Sequence, residues 1–293
     1  NSVIFLNDND VAILRKEEMV LKTIYNEALE PNIQTLDLDI EAIEKGGFEH
    51  FMLKEIFEQP RSILDTFRGR VSTNPLDIHL GGLYKVIPNL VDAKRIILIG
   101  CGTSWHAALV GEYLLEDLAR IPVEVEYASE FRYRNPIIYK DDIVIAISQS
   151  GETADTLAAI KLAKEAGALV LGICNVVGSS IPRETHAGVY THAGPEIGVA
   201  STKAFTAQVT VLTMIAILLG YKKGVINESR YKELINEISL VPDKIERILK
   251  TDPIVQNISD RFKDATNFLY LGRGYYFPVA LEGALKLKEI SYI

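Results

Sequence analysis

The chain has 293 residues, of which 48% are hydrophobic and 24% are charged, a composition typical of a globular protein with a sizeable core. Its net charge of −8 argues against nucleic acid or an anionic membrane surface as the main partner, and no run of 18 apolar residues predicts a membrane span. Cys101 and Cys174 stand in no metal-ligand or CxxC spacing, which predicts two reduced thiols in a cytoplasmic protein.

Residues 1–25 alternate β-rich runs with polar turns. Two such runs flank residues 7–10, which predicts a β-hairpin that turns there, and a third run follows at 19–25. Because three short strands cannot bury a core alone, this segment is predicted to be the edge of a larger domain. Residues 26–85 are predicted to be a linker with a helical lead-in, which Pro60 should bend or break, followed by a loop at 74–82.

Residues 86–224 alternate apolar runs with helical patterns. The apolar runs are too continuous in Val, Ile and Leu for a sheet with one face in water. They predict an α/β domain in which a parallel five-stranded sheet carries helices on both faces. The predicted strands are residues 95–100, 123–127, 143–147, 169–174 and 188–191.

The end of the chain repeats this pattern. IILIGCG at residues 96–102 and FLYLGRG at residues 268–274 both predict a strand, a Gly-x-Gly turn and a helix. An internal duplication is the simplest explanation. Residues 255–293 are therefore predicted to start a second domain of the same fold, a truncated copy because a complete one needs roughly 100 residues. Residues 225–254 are predicted to be connecting helices.

The most informative motif is SQSGET at residues 148–153, where a buried strand is predicted to lead into a helix. The first turn of a helix presents unpaired N–H groups and the positive end of the helix dipole, which favour an anion. Ser148, Ser150 and Thr153 add three neutral donors, whereas capping a helix needs one hydroxyl. The motif therefore predicts a phosphate held by hydrogen bonds, with plain helix capping as the alternative.

Two further loops are predicted near the same crevice. Thr103 and Ser104 follow the first Gly-x-Gly, where Trp105 replaces the third glycine of a nucleotide fingerprint and so disfavours that reading. Both hydroxyls are expected to face the SQSGET loop, because ligands bind beyond the carboxyl ends of parallel strands. Residues 196–203 precede a long apolar helix that Ser201 or Thr202 should cap, and a ligand-lining role and a plain loop fit this segment equally well.

The last predicted helix carries Glu282, Lys286 and Glu289 at spacings that place them on one face. An exposed face with Glu–Lys pairs would explain them. The Ala- and Leu-rich surroundings instead predict a largely buried helix, in which a carboxylate beside a lysine suits acid–base catalysis. The five histidines form no cluster in the sequence and are interpreted as structural or surface residues.

Together these motifs resemble the isomerase part of the glucosamine-6-phosphate synthases, also called isomerising glutamine–fructose-6-phosphate transaminases. SQSGET is typical of sugar-isomerase (SIS) domains in general, whereas EIGVASTKAFT and ALEGALKLKEISYI are specific to the synthases. The resemblance covers nearly the whole chain. The matching segments are residues 100–104, 128–134, 148–156, 173–180, 196–206, 271–274 and 280–293.

The resemblance implies an SIS fold and an enzyme that makes glucosamine 6-phosphate and glutamate from fructose 6-phosphate and glutamine, with no metal and no other cofactor. It implies that Glu289 is the base that moves a proton between C1 and C2 of the sugar, with Lys286 as its neighbour. The implied sugar-phosphate ligands are Thr103, Ser104, Ser148, Gln149, Ser150 and Thr153, and the implied sugar-lining loop is Val199, Ala200 and Ser201.

The resemblance also implies partners. Residues 1–25 would be the tail of a glutaminase domain of the same polypeptide, and the protein would be a homodimer. The family's ring-opening histidine and Schiff-base lysine fall after residue 293, so this fragment alone is expected to be inactive. Two alternatives stay open: another SIS-fold sugar-phosphate isomerase or deaminase, which would lack the β-rich residues 2–25, and an SIS sugar-phosphate sensor, which would not need Lys286 and Glu289.

Overall fold

The computed structural model describes residues 2–4, 6–31, 33–35 and 44–293. They form two compact units that divide between Gly46 and Gly47. Part of the predicted linker, residue 32 and residues 36–43, lies outside the described residues. The two units are described separately below.

The described residues of the first unit form four short strands in two antiparallel pairs: β1 (Ser2–Ile4), β2 (Asp10–Leu14), β3 (Met19–Thr23) and β4 (Ile33–Thr35). β1 pairs with β4, and β2 forms a hairpin with β3. The predicted hairpin around residues 7–10 is therefore wrong. A turn does form there, in which the Asp10 amide donates to the Asn7 carbonyl at 3.1 Å. Its chemistry sets the bend but not the strand partner, and each flanking strand pairs with a strand farther along the chain.

The second unit begins with α1 (Phe51–Phe67), followed by the two-stranded ribbon of β5 (Val71–Thr73) and β6 (Leu76–Ile78). A 3₁₀ turn, Gly81–Val86, leads into α2 (Ile87–Val91). The predicted break at Pro60 does not occur. Pro60 has no N–H for the Ile56 carbonyl, and the side-chain amide of Gln59 donates to that carbonyl at 3.0 Å instead. The prediction of a loop over 74–82 is wrong at β6, which pairs with β5.

A five-stranded parallel sheet forms the centre of this unit, as the sequence predicts. Its order is β11–β10–β9–β7–β8, so the chain reverses its direction of travel across the sheet between β7 and β9. In open α/β sheets a ligand crevice lies beside such a reversal, at the carboxyl ends of the strands. The strands are β7 (Ile96–Gly100), β8 (Val123–Tyr127), β9 (Ile143–Ser148), β10 (Leu169–Cys174) and β11 (Ala187–Tyr190).

Helices cover both faces of the sheet. Alternate residues of β7 belong to different halves of the core: Ile96 and Leu98 pack on one side, and Ile97 and Ile99 on the other. Every residue of β7 is buried, which explains its unbroken apolar sequence. The covering helices are α3 (Thr103–Leu114), α4 (Ala128–Tyr133), α5 (Ala154–Glu165), α6 (Ser180–Glu184) and α7 (Lys203–Lys222).

The helix α7 is the one described helix whose length and composition would let it cross a membrane. In this fold 72% of its apolar window is buried, and its residues pack into the larger half of the core. Core helices commonly pass the same test, so the feature is weak evidence for a span.

The chain ends with four helices: α8 (Glu228–Ser239), α9 (Val241–Leu249), α10 (Asp252–Phe262) and α11 (Tyr276–Ser291). The strand predicted at residues 268–271 is wrong, because this segment is irregular in the structure. Its apolar residues are exposed, and no described strand pairs with it. A strand needs a neighbour for its backbone hydrogen bonds, and this segment has none here. The predicted start of a second domain stays a prediction.

Candidate functional site

The SQSGET loop connects β9 to α5 at the carboxyl edge of the sheet. Ser148 is buried, its Oγ accepts from the Gly151 amide at 3.0 Å, and it lies 3.2 Å from Thr153 Oγ1. Thr153 occupies the N-cap position of α5, yet no side chain caps that helix. The amides of the first turn are therefore left to another acceptor, which favours an anion site over plain capping.

Gly151 holds this loop against the next βα loop. Its φ of +72° is left-handed, and a Cβ at this position would overlap Ser179 Oγ and lie 2.7 Å from Ser179 Cβ. Ser179 is buried and donates to the Val176 carbonyl at 2.8 Å, so it has little room to move. The Ser180 amide also donates to Glu152 at 2.8 Å. The loop shape thus depends on glycine and on the β10–α6 connection.

The second predicted loop follows β7, the strand next to β9. Because both strands end at the same edge, Thr103 and Ser104 lie on the side of the sheet that carries SQSGET. The buried Ser104 Oγ accepts a hydrogen bond at 3.0 Å from the side-chain amide of Gln208 on α7. Thr103 Oγ1 donates to Glu282 at 2.9 Å and accepts from Lys286 Nζ at 2.9 Å.

The predicted catalytic residues form one cluster on α11. Lys286 Nζ lies 2.5 Å from Glu289 and 3.3 Å from Glu282, so the predicted sharing of one helix face is confirmed. The Glu282 side chain is 8% exposed, that of Lys286 15% and that of Glu289 32%. The expectation of a largely buried helix is wrong here: Pro278 and Glu282 are its buried residues.

Contacts near both ends of α11 hold it beside α3 and the residues that follow α3. Thr103 on α3 contacts the Glu282–Lys286 pair. At the other end, Tyr275 OH donates to Asp117 at 3.1 Å. Burial, and secondarily the charge of Asp117, raise the pKa of Tyr275 to about 12, so the phenol stays a donor. These contacts place the catalytic candidates over the amino end of α3.

The three predicted sugar-lining residues lie in the loop before α7 and differ from one another in exposure and contacts. Val199 is 91% exposed and Ala200 is buried. Ser201 Oγ donates to Glu196 at 2.6 Å, so its hydroxyl is already engaged. Thr202 occupies the N-cap position of α7, as predicted, but its side chain does not cap the helix. Glu196 instead accepts from the amides of Thr202 and Ala204 at 2.8 and 3.1 Å.

A buried carboxylate on α1 supports the same loop. Glu55 Oε1 accepts from the amides of Ile197 and Gly198 at 2.5 and 3.0 Å. A Cβ on Gly198 would lie 2.6 Å from the other Glu55 oxygen, so the backbone approaches the carboxylate as closely as glycine allows. The exposed Val199 is thereby carried on a fixed loop.

The structure brings some predicted residues together and leaves others apart. Among the hydrogen bonds of residues 44–293, Thr103 is the predicted substrate ligand that contacts the predicted catalytic pair. Gln149 contributes its backbone carbonyl to the Asn175 amide at 3.2 Å. The substrate-binding and catalytic roles themselves remain predictions.

Two residues at the site were not singled out from the sequence. His106 was interpreted as structural or surface, yet its Nδ1 lies 2.6 Å from Glu282 Oε2, and both residues are buried. Its spacing of three from Thr103 places both on one face of α3, which is a signal that the sequence does contain. Gln208 lies two positions after the EIGVASTKAFT segment (residues 196–206) but belongs to no motif, and only the fold brings it to Ser104.

The cysteines differ in environment. Cys174, at the end of β10, is buried, and desolvation raises the pKa of its thiol to about 12, with a smaller effect from Glu152. Cys101, at the end of β7, is half-buried and also a free thiol. Within the described residues no group of three or more His, Cys, Asp or Glu side chains is arranged to hold a metal ion.

Comparison with known proteins identifies the family. The family model described as "SIS domain" matches residues 89–218. The solved C-terminal domain of glucosamine–fructose-6-phosphate aminotransferase from Francisella tularensis is 39% identical, with a TM-score of 0.81, over 85% of this chain and 70% of that one. The chain belongs to the isomerizing glutamine–fructose-6-phosphate aminotransferase family. Both the predicted SIS fold and the predicted family are confirmed.

Curated relatives match from end to end of this chain. The isomerizing glutamine–fructose-6-phosphate aminotransferase of Chlorobaculum tepidum is 60% identical over all 293 residues, and that of Rattus norvegicus is 45% identical over 296 aligned positions. The chain spans about half the length of these aminotransferases, 48% and 43% respectively. Since the match includes the β-rich residues 2–25, it favours this family over the other SIS proteins.

Proposed function

We propose that the protein of which this chain is part makes glucosamine 6-phosphate and glutamate from fructose 6-phosphate and glutamine, and that this chain is its isomerase part. Family membership supplies the reaction class. The observation that carries the assignment to this chain is the cluster of Glu289, Lys286 and Glu282 held against Thr103 at the carboxyl edge of the sheet.

In this proposal the SQSGET loop binds the phosphate. The uncapped amino end of α5 offers amides, and Ser148, Ser150 and Thr153 offer hydroxyls. Each hydrogen bond from a neutral donor to the anion contributes about 1.5–3 kcal/mol. Thr103 and Ser104 bind the sugar from the neighbouring strand, and the loop of Val199, Ala200 and Ser201 lines its far side. No lysine or arginine in the motif is needed for the charge.

The isomerisation is a proton transfer. After ammonia replaces the oxygen at C2 with loss of water, a proton must leave C1 and one must be added at C2. The C1 hydroxyl also loses its proton and the nitrogen gains one, so that the C2=N double bond becomes C1=O. Glu289 is the proposed base because it is the more exposed carboxylate of the cluster and therefore the more accessible to a substrate. Lys286, 2.5 Å away, balances its charge during the transfer.

The proposed partners of the isomerase part are the rest of the polypeptide and a second copy of the protein. We propose a glutaminase domain in the same chain as the ammonia source, with residues 1–25 as its tail, and a homodimer in the cytoplasm. The predicted division into residues 26–85, 86–224, 225–254 and 255–293 is retained as a proposal. So is the inactivity of the fragment alone.

The substitution Glu289→Gln in the full-length protein tests the assignment. It keeps the shape of the side chain and removes the base, so synthesis of glucosamine 6-phosphate should fall by about 10²–10⁴-fold. Glutamine hydrolysis and fructose 6-phosphate binding should stay within a few-fold of wild type. Glu246→Gln, an exposed change on α9, is the matched control. Synthesis that persists near the wild-type rate, or glutaminase activity that falls in parallel, would make Glu289 a structural residue.

A further inference from the structure

A buried histidine contacts the catalytic cluster from outside it. His106 Nδ1 lies 2.6 Å from Glu282 Oε2, and both side chains are 8% exposed. The contact joins two elements 176 positions apart in the chain. Nothing in the proposed reaction uses His106 directly.

The other partners of Glu282 decide which atom carries the proton. Glu282 Oε1 receives the Thr103 hydroxyl at 2.9 Å and lies 3.3 Å from the Lys286 ammonium. Lys286 can only donate, and the Thr103 hydroxyl, which accepts from Lys286, gives its own hydrogen to Glu282, so the Glu282 carboxylate is the acceptor in these contacts. His106 must therefore donate from Nδ1, and the short distance is that of a charge-assisted bond.

The same contact has a consequence for Lys286. A buried carboxylate that loses a donor is left with an unsatisfied oxygen, and its side chain rotates or takes up a proton. Either change releases Lys286, which Glu282 and Thr103 hold beside Glu289. The chain of contacts thus runs from His106 through Glu282 and Lys286 to Glu289.

We propose that His106 is a positioning residue that, by donating from Nδ1, fixes Glu282 and through it sets the place of Lys286 beside the base. The inference rests on the proposed function of Glu289. It assigns a role to a residue that touches neither substrate nor base.

The length of the side chain provides the test. The amide nitrogen of asparagine is two bonds from Cβ, as is Nδ1 of histidine, whereas that of glutamine is three bonds away, as is Nε2. In the full-length protein, His106→Asn should keep kcat for glucosamine 6-phosphate synthesis within about threefold. His106→Gln should lower kcat about 10–100-fold, the range typical of lost supporting contacts. The KM for fructose 6-phosphate should change little in both.

Two controls separate this role from a general packing effect. His186→Gln changes an exposed histidine whose Nδ1 hydrogen-bonds the Val170 backbone, and it should leave kcat unchanged. In a protein that already carries Glu282→Gln, adding His106→Gln should lower kcat less than twofold further, because both residues act through the same contact. Equal kcat in His106→Asn and His106→Gln, whether high or low, would overturn the proposal.

A second readout does not depend on activity. Long-range ¹H–¹⁵N spectra of the histidines in the wild-type protein should show His106 protonated at Nδ1. An unprotonated Nδ1 would overturn the proposal even if the enzyme is active. If the wild type makes no glucosamine 6-phosphate, the proposed function fails, while the spectra still decide the His106 contact.

Discussion

Replacement of Gly151 by alanine should destabilise the SQSGET loop, the proposed phosphate site, more than the addition of one methyl group suggests. Gly151 adopts a φ of +72°, which costs an L-residue roughly 1–2 kcal/mol. The added methyl would also overlap Ser179 Oγ and approach Ser179 Cβ to 2.7 Å. We therefore expect two separate penalties, one from the backbone and one from packing.

The size of the packing penalty follows from how tightly Ser179 is held. It is fully buried, and its hydroxyl donates to the Val176 carbonyl at 2.8 Å. Overpacking of a well-filled site costs about 1–3 kcal/mol, and loss of this hydrogen bond about 0.5–1.5 kcal/mol more. Alanine also reduces the conformational entropy of the unfolded chain, which offsets about 0.4–1 kcal/mol of the lost stability. Gly151→Ala should lower the local stability by about 1.5–6 kcal/mol and weaken fructose 6-phosphate binding.

Gly167→Ala is the matched comparison. Gly167 has a similar φ of +87°, but its added methyl would meet only the flexible Lys140 side chain, at 3.4 Å. Gly167→Ala should therefore lower the stability only by the backbone cost of a left-handed φ. Hydrogen exchange of the β9 and β10 amides in the full-length protein measures the local free energy of opening for both variants, and calorimetric titration measures sugar-phosphate binding.

The additional substitution Ser179→Gly separates the effect of the steric clash from the backbone cost. Added to Gly151→Ala, it removes both atoms that the methyl would meet and should restore about 1–3 kcal/mol. Gly151→Ala protein that opens no more easily than the Gly167→Ala protein, or that binds fructose 6-phosphate as tightly as wild type, would refute this account of the loop.

Two further predictions concern the thiols and the assembly. Since the pKa of Cys174 is about 12, roughly one molecule in 10⁴ carries its thiolate at pH 8, so iodoacetamide should label the half-buried Cys101 well before Cys174 in the folded protein; equal labelling rates in peptide mass spectra would contradict this. The exposed apolar residues of α10, Ile254, Ile258 and Phe262, need cover, so the full-length protein should sediment as a dimer at tens of micromolar, and a monomer would count against it.

The sheet and its loops were predictable because their signals are local. The strands β7, β9 and β10 are largely continuous apolar runs, and both faces of β7 are buried as such a run requires. The edge strand β8 instead alternates its valines with Glu124 and Glu126. The hydroxyl-rich turn after β9 and the one-faced spacing of Glu282, Lys286 and Glu289 are likewise visible within a few residues. A parallel α/β sheet then places the turns at one edge without further information.

The errors have a common cause: the partner of each element lies elsewhere. β1 has the composition of a hairpin strand, but its partner β4 lies about 30 residues on. Residues 268–271 have the composition of a strand, but none of the described strands lies beside them. His106 and Gln208 gain meaning only from Glu282 and Ser104, which are 176 and 104 positions away. A local sequence pattern predicts the type of an element, whereas contacts with residues far along the chain decide which partner it has.

Burial and hydrogen bonding distinguish the two carboxylates of α11. Glu282 is 8% exposed and receives contacts from Thr103, His106 and Lys286, which hold its side chain in one place. Glu289 is 32% exposed and contacts Lys286 alone among the described residues. A proton carrier must exchange its proton with the substrate, which a carboxylate held on three sides cannot do without breaking a buried bond. We therefore propose an orienting role for Glu282 and proton transfer for Glu289, with Lys286 as the group they share.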